Sequence, residues 1–224
     1  MNKILKATAA IMLLMIFAVG CNKPNEPVVD VSGEINGHDY VDLGLPSGTL
    51  WATCNVGADS PESYGDYYAW GEIYRKIDFY WENYKFGMDG RDKYSKTDSL
   101  LVLEIEDDVA SWKWYCGWRM PTKEQWDELV QNTTHIVTTL NGVVGRLFTA
   151  SNGRNLFLPA TGTGGILSVA PSFGFYWSSS LDDAYGPSPA RSQAWLFYFN
   201  RENYYITSSL RCHGYTVRPV HPAE

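Results

Sequence analysis

The stretch Gly117-Trp118-Arg119-Met120-Pro121-Thr122-Lys123-Glu124-Gln125-Trp126-Asp127-Glu128-Leu129 constrains the fold more than any other part of the chain. Thr122 offers a side-chain acceptor at a helix N-cap, Gln125 stands three residues later as a capping box requires, and Met120 precedes the cap as a staple partner. Glu124, Asp127 and Glu128 put negative charge in the first turns, where the helix dipole favours it. Trp126, Leu129 and Val130 recur at i, i+3 and i+4, which gives the helix one apolar stripe. Asn132-Thr133-Thr134 end it after about two to three turns. So short a helix must bury its stripe against something larger. Almost everything after it reads as strands and turns, so it is expected to pack on a sheet built by both ends of the chain.

The strand signals are local and repeated. Residues 34–43 carry an Asn36-Gly37 turn followed by alternation, a hairpin pattern, and Leu50 to Val56 is the next strand. Residues 73–97 are polar, aromatic and irregular and read as a long surface excursion, and Leu101 to Trp112 as a short helix. Beyond the capped helix, residues 136–140, 143–150 and 155–159 form a meander around the turns Asn141-Gly142 and Asn152-Gly153. Phe175 to Ser180, Ala194 to Phe199, Tyr204 to Ile206 and Tyr215 to Val220 complete the strands. The expected class is α+β, an antiparallel, β-dominated sheet with one or two short helices and long loops.

The first twenty residues stand outside this pattern. Lys3 and Lys6 precede the apolar run Ala9 to Val19, which is short for a bilayer span, and Ala18-Val19-Gly20 leads directly into Cys21. Small residues before a cysteine resemble the lipobox of a bacterial lipoprotein signal, so residues 1–20 are expected to be a signal peptide and Cys21 the lipidated N-terminus. Residues 21–34, polar and proline-bearing, are the expected tether, and 35–221 a single domain. The expected location is the outer membrane or cell surface, reached by export and held by lipid.

Removing Lys3 and Lys6 with the signal leaves 16 basic against 25 acidic side chains, a net charge of about −9. An acidic domain with no Lys/Arg cluster lacks the footprint that nucleic-acid phosphates demand, and no nucleic-acid partner is expected. Cys54, Cys116 and Cys212 remain after Cys21 is lipidated. In an exported chain two of them are expected to pair, and Cys116–Cys212 is preferred because both flank elements expected to be neighbours; spacing alone leaves the pairing open. The nine Trp, fifteen Tyr and nine Phe exceed what one core requires, so some of them are candidates for a binding face.

Five motifs, in order, resemble a known family: Val41-Asp42-Leu43-Gly44-Leu45-Pro46-Ser47-Gly48-Thr49-Leu50-Trp51-Ala52-Thr53-Cys54-Asn55-Val56-Gly57, then Trp118-Arg119-Met120-Pro121-Thr122, Phe157-Leu158-Pro159-Ala160, Tyr176-Trp177-Ser178-Ser179-Ser180 and Val217-Arg218-Pro219-Val220. Together they are similar to the major paralogous domain first named from Fibrobacter succinogenes, common in surface lipoproteins of gut Bacteroidetes. The resemblance runs from about Gly37 to Val220. It implies a C-type-lectin-like fold, shared more distantly with the formylglycine-generating enzyme group. The chemistry of those relatives does not carry over. The late cysteine pair that holds copper is reduced here to Cys212. His38, His135, His213 and His221 show no ligand spacing, and the calcium motifs of sugar-binding lectins are missing from the folded part. No cofactor, metal or catalytic residue is expected: Asp107-Asp108 and Asp182-Asp183 are sequence neighbours, which rarely point at one substrate, and Ser178 to Ser180 lack a nucleophile elbow.

A binding role fits the C-terminal stretch. Trp177, Asp182, Asp183, Tyr185, Arg191, Trp195, Tyr198, Asn200, Arg201, Asn203, Tyr204 and Tyr205 are of the types that paratopes favour, and aromatic rings also stack on sugars. Alternation along Ala194 to Phe199 assigns Phe197 and Phe199 to the core and leaves Tyr198, Asn200, Arg201, Tyr204 and Tyr205 for the surface. The same stretch resembles the variable region of diversified lectin-fold proteins. The expected function is non-catalytic binding, by a surface-anchored lipoprotein, of a glycan or protein ligand on a host, dietary or microbial surface. The alternative is a structural or assembly subunit of an adhesive surface structure.

Overall fold

Asn36 and Gly37 take φ of 51° and 79°, the left-handed pair that a two-residue hairpin turn needs, and join strand β1 (Gly33–Ile35) to β2 (His38–Asp42). Asn141 and Gly142 (φ 49° and 82°) do the same between β4 (Thr133–Leu140) and β5 (Val143–Ala150). The computed structural model describes residues 26–88, 93–95, 98–164, 172–183 and 192–223. With β3 (Leu50–Ala52), β6 (Asn155–Pro159), β7 (Gly174–Leu181), β8 (Gln193–Phe199), β9 (Tyr204–Leu210) and β10 (Val220–His221), the strands form three antiparallel sheets. Their orders are β1-β2-β3-β10, β4-β5-β6 and β7-β8-β9. The protein is therefore α+β and sheet-rich, with three sheets where one was expected.

Helix α2 (Lys123–Gln131) starts where the sequence predicts. Thr122 accepts from the Gln125 amide, and the Gln125 side chain accepts in turn from the Thr122 amide. Its stripe delivers Trp126 and Leu129 to a core shared by all three sheets: Val41 and Trp51 from the first, Phe148, Leu156 and Leu158 from the second, Tyr176, Phe197 and Phe199 from the third. A second core lies on the opposite face of the third sheet, where Trp177, Ala194 and Leu196 meet Trp70, Trp114, Trp118, Tyr215 and Val217. The third sheet is thus buried on both faces over much of its length. Among the described residues no helix is long and apolar enough to cross a membrane.

Several sequence expectations are corrected. The helix expected over 101–112 is α1 (Val109–Trp114); Val102 bridges to Ser180 and Ile105–Asp107 form a single 3-10 turn. What starts α1 is Asp108, whose carboxylate accepts from the Ala110 and Ser111 amides. Residues 73–97 are not wholly superficial, because Tyr84, Phe86 and Tyr94 are buried in the second core. The last residues of the expected tether belong to the fold: Asp30 accepts from the Asn155 amide, Ser32 donates to the Tyr40 carbonyl, and Gly33 and Glu34 lie in β1. The expected Cys116–Cys212 bridge is not formed. Cys54, Cys116 and Cys212 are all free thiols, Cys116 exposed with its carbonyl on His221 and Cys212 buried in the core beside Tyr84 and Trp70.

Candidate functional site

The predicted ligand residues do not come to one place. Trp177 is wholly buried and its indole N–H donates to the Tyr68 carbonyl at 2.9 Å, so it is a core residue and not a ligand contact. Asp182 and Asp183 follow the end of β7, where the Asp182 amide donates to the Gln193 carbonyl. Trp195 lies near that same end, half-buried under the Lys123 ammonium at 5.1 Å. Asn200, Arg201 and Asn203 occupy the β8–β9 turn at the opposite end of the strands, flanked by Tyr198, Tyr204 and Tyr205. Tyr185, Arg191 and Cys21 lie outside the described residues.

What is assembled is the turn end of the β8–β9 hairpin. Residues 198 and 205 are directly paired, as are 199 and 204, so the side chains of Tyr204 and Tyr205 project to opposite faces. They are 39% and 53% exposed. Tyr205 stacks on Tyr198 (6.0 Å, 14°), and Tyr198 packs on Phe175 at 5.0 Å. The turn itself is fixed. Asn200 Oδ1 accepts from the amides of Glu202 and Asn203, and the Asn200 amide donates to the Asn203 carbonyl. From the second sheet, the buried Arg146 donates to the carbonyls of Asn200 (3.0 Å) and Asn203 (3.3 Å).

Arg146 has an uncommon environment. Its guanidinium lies between the Phe199 and Tyr204 rings, each 5.5 Å away, and its Nη1 meets His135 Nδ1 at 2.8 Å. A guanidinium only donates, so the imidazole must accept and carry no charge. Burial, then the Arg146 charge, holds the His135 pKa below its ordinary value. Burial likewise lowers that of Arg146.

A second concavity escaped the sequence reading. The Phe79 ring sits on the backbone of Gly164 and Gly214, which are themselves linked by an amide–carbonyl bond of 2.9 Å. A Cβ on either glycine would stand 2.5 Å from the ring, so only glycine lets the aromatic side chain seat there. Beside it opens a cleft of about 350 Å³ walled by Phe79, Tyr80 and Tyr215, with Asp78, Thr163 and His213 on its lining. Ser209 Oγ, His213 Nδ1 and the Tyr215 hydroxyl lie 2.9–3.2 Å from one another. Burial holds His213 below its ordinary pKa. The only available sequence signal was the run Phe79-Tyr80-Trp81 inside an irregular stretch.

Two acidic groups are accounted for by the fold. Glu104, Glu106 and Asp107 offer oxygens close to one another, but the Lys93 ammonium contacts all three and Lys85 holds Asp107, so a cation of the protein already occupies that spot. Asp108 caps α1 and also accepts from the Met120 amide at 2.8 Å; burial raises its pKa to about 6.

Compared with family models, curated proteins and solved structures, the chain has no match in any of the three.

Proposed function

We propose that this protein is a non-catalytic binding module that recognises a glycan or protein ligand through the turn end of the β8–β9 hairpin. The observation that carries this reading is the presentation of Tyr204 and Tyr205 on opposite faces of one turn already fixed by Asn200 and Arg146. A preorganised polar turn bearing half-exposed tyrosines gives contact area at little ordering cost, which is how paratopes gain affinity. Asn200, Arg201 and Asn203 supply adaptable hydrogen bonding next to the rings. The motif resemblance supports a C-type-lectin-like scaffold, and the lipobox resemblance supports export and anchoring to the outer membrane through Cys21, with the domain at the cell surface. On this reading the hairpin end is also the segment similar to diversified variable regions. The test is a glycan and protein array probed with the mature chain and with a Tyr198→Ala/Tyr204→Ala/Tyr205→Ala variant, each with and without chelator. At least one ligand signal that survives chelation and disappears in the triple variant is expected; an array on which every signal needs a metal or ignores the three tyrosines rejects the reading.

A second reading rests on β9. It is the terminal strand of its sheet, and its residues are mostly exposed or half-exposed. An open edge of this kind is a template for strand addition, which would suit a subunit of an adhesive assembly. Self-association in solution that is abolished by Ser208→Pro, which removes an outward-facing edge N–H, with the fold retained, would favour it.

A further inference from the structure

The cleft beside Phe79 is separate from the hairpin end and has its own chemistry. Two rings line it, Phe79 seated on the two glycines and exposed Tyr80, while the buried Tyr215 behind them is packed against Phe175 (4.9 Å) and Trp177 (4.7 Å). Its polar groups sit at the edges of those rings. The Asp78 side chain is exposed and has no partner among the described residues; only its backbone carbonyl is engaged, by Asn83. His213 Nδ1 is engaged with the Ser209 and Tyr215 hydroxyls, which leaves its Nε2 edge for a ligand. Thr163 adds a hydroxyl at the far side. The cleft therefore combines apolar ring surface with one strong acceptor and one imidazole nitrogen.

That combination selects among ligand classes. A phosphate or carboxylate would meet the Asp78 charge, and the cations of the neighbouring segment are already engaged: Arg75 with Asp66 and Lys76 with Glu72 and Asn83. A hydrocarbon chain would bury Asp78 without returning a hydrogen bond, which is costly. A pyranose ring satisfies both demands, because its C–H face stacks on an aromatic ring while adjacent hydroxyls, which both donate and accept, bond a carboxylate and an imidazole nitrogen. The volume, about 350 Å³, is at the small end for ligand sites and suits about one or two sugar rings.

We propose that the cleft between residues 77–80 and 213–215 is a binding subsite for a neutral pyranose, stacked against Phe79 and Tyr80 and held by Asp78 and His213. The site needs no metal and stands whether or not the hairpin end binds anything.

The experiment is saturation-transfer NMR on the mature chain with methyl β-D-glucopyranoside, methyl β-D-galactopyranoside, methyl α-D-mannopyranoside and adenosine as probes, followed by titration of any that respond. At least one glycoside is expected to receive saturation on its ring C–H protons. An Asp78→Ala/Tyr80→Ala variant, changed only at exposed positions so that its unfolding temperature stays at the wild-type value, is expected to bind about fivefold more weakly or worse. A Tyr204→Ala/Tyr205→Ala variant should bind as wild type, which separates this site from the hairpin. The proposal is overturned if no glycoside responds, if only adenosine does, if the cleft variant loses less than that factor, or if the hairpin variant loses as much.

Discussion

His135 and Arg146 show how single residues tie the two faces of the molecule to pH. The groups facing the imidazole are the Arg146 guanidinium from β5, the Phe148 ring and the Tyr204 ring from β9; none of them is acidic. In an unfolded chain His135 titrates near 6.5, and in the fold burial and Arg146 hold it lower. Between those two values the unfolded chain carries the extra proton, so this contribution to stability is intact above about pH 6.5 and is lost as pH falls through the folded value. Protonation also removes the acceptor of Arg146 Nη1, the same side chain that holds the Asn200–Asn203 turn. A His135→Asn variant, whose amide oxygen replaces Nδ1 without titrating, is expected to unfold at a temperature that falls less between pH 7 and 5 than in the wild type. Parallel profiles would show that His135 carries none of the pH dependence. Asp108 acts in the opposite sense. Its pKa is raised to about 6, so the folded chain holds the extra proton between about 3.8 and 6, and its unfavourable ionisation is relieved as pH falls. Its carboxylate still serves three amides. Asp108→Ala should therefore cost more than Asp108→Asn, which keeps an acceptor for Ala110 and Ser111; chemical denaturation at pH 7 should separate the two by about 1–2 kcal/mol.

At the scale of elements, helix α2 shows most clearly what a sequence can disclose. Its cap, start and inward face are all local properties, set by Thr122, Gln125 and a 3.6-residue period, and they are found where predicted. Trp126 is then the contact through which a local helix becomes a tertiary one. Its ring stacks on Phe197 (5.0 Å, 16°), leans on Trp51 at 4.7 Å and approaches Tyr176 at 5.9 Å. Trp126→Ala should cost about 3–5 kcal/mol, against about 1 kcal/mol for Thr122→Ala, and calorimetric unfolding distinguishes a lost core contact from a lost cap by that ratio. The proposed binding face was less legible for a physical reason. Alternation along β8 correctly turned Phe197 and Phe199 inward, but a strand buried on both faces carries no polar face to set the phase. Trp177 was therefore indistinguishable from a surface aromatic, although both its faces meet protein. The cleft was invisible because its parts, residues 77–80, 163–164 and 213–215, are brought together only by tertiary contacts.

The described domain is closed where β3 meets β10. β3, near the start of the described chain, pairs with both β2 and β10, and the segment before α2 bridges to β10 through Arg119 and Val220 in both directions (2.9 and 2.8 Å). Between them Arg218, wholly buried, donates to Asn55 Oδ1 at 2.8 Å and to the carbonyls of Ala52 and Thr53. No carboxylate among the described residues neutralises it; the Asn55, Ala52 and Thr53 oxygens solvate the charge, and they do so only while the early loop and the last strand lie together. Removing either partner strands a buried cation or a set of unpaired carbonyls, each of which costs more than an exposed pair would. The last residues are therefore part of the nucleus of stability and not a dispensable tail. Deleting residues 217–224 should abolish cooperative unfolding altogether, whereas Arg218→Lys, which keeps the charge but loses the planar fork, should lower stability by about 1–3 kcal/mol and leave the transition cooperative. Native-state hydrogen exchange offers an independent check. The amides of Ala52, Val56 and Val220, which bond to Pro219, Val217 and Arg119 across this closure, should exchange only through global unfolding, while those of the β8–β9 turn open at lower free energy. Fast exchange at Val56 and Val220 would mean that the chain ends can separate without unfolding the rest, and closure would then not be what holds the three sheets together.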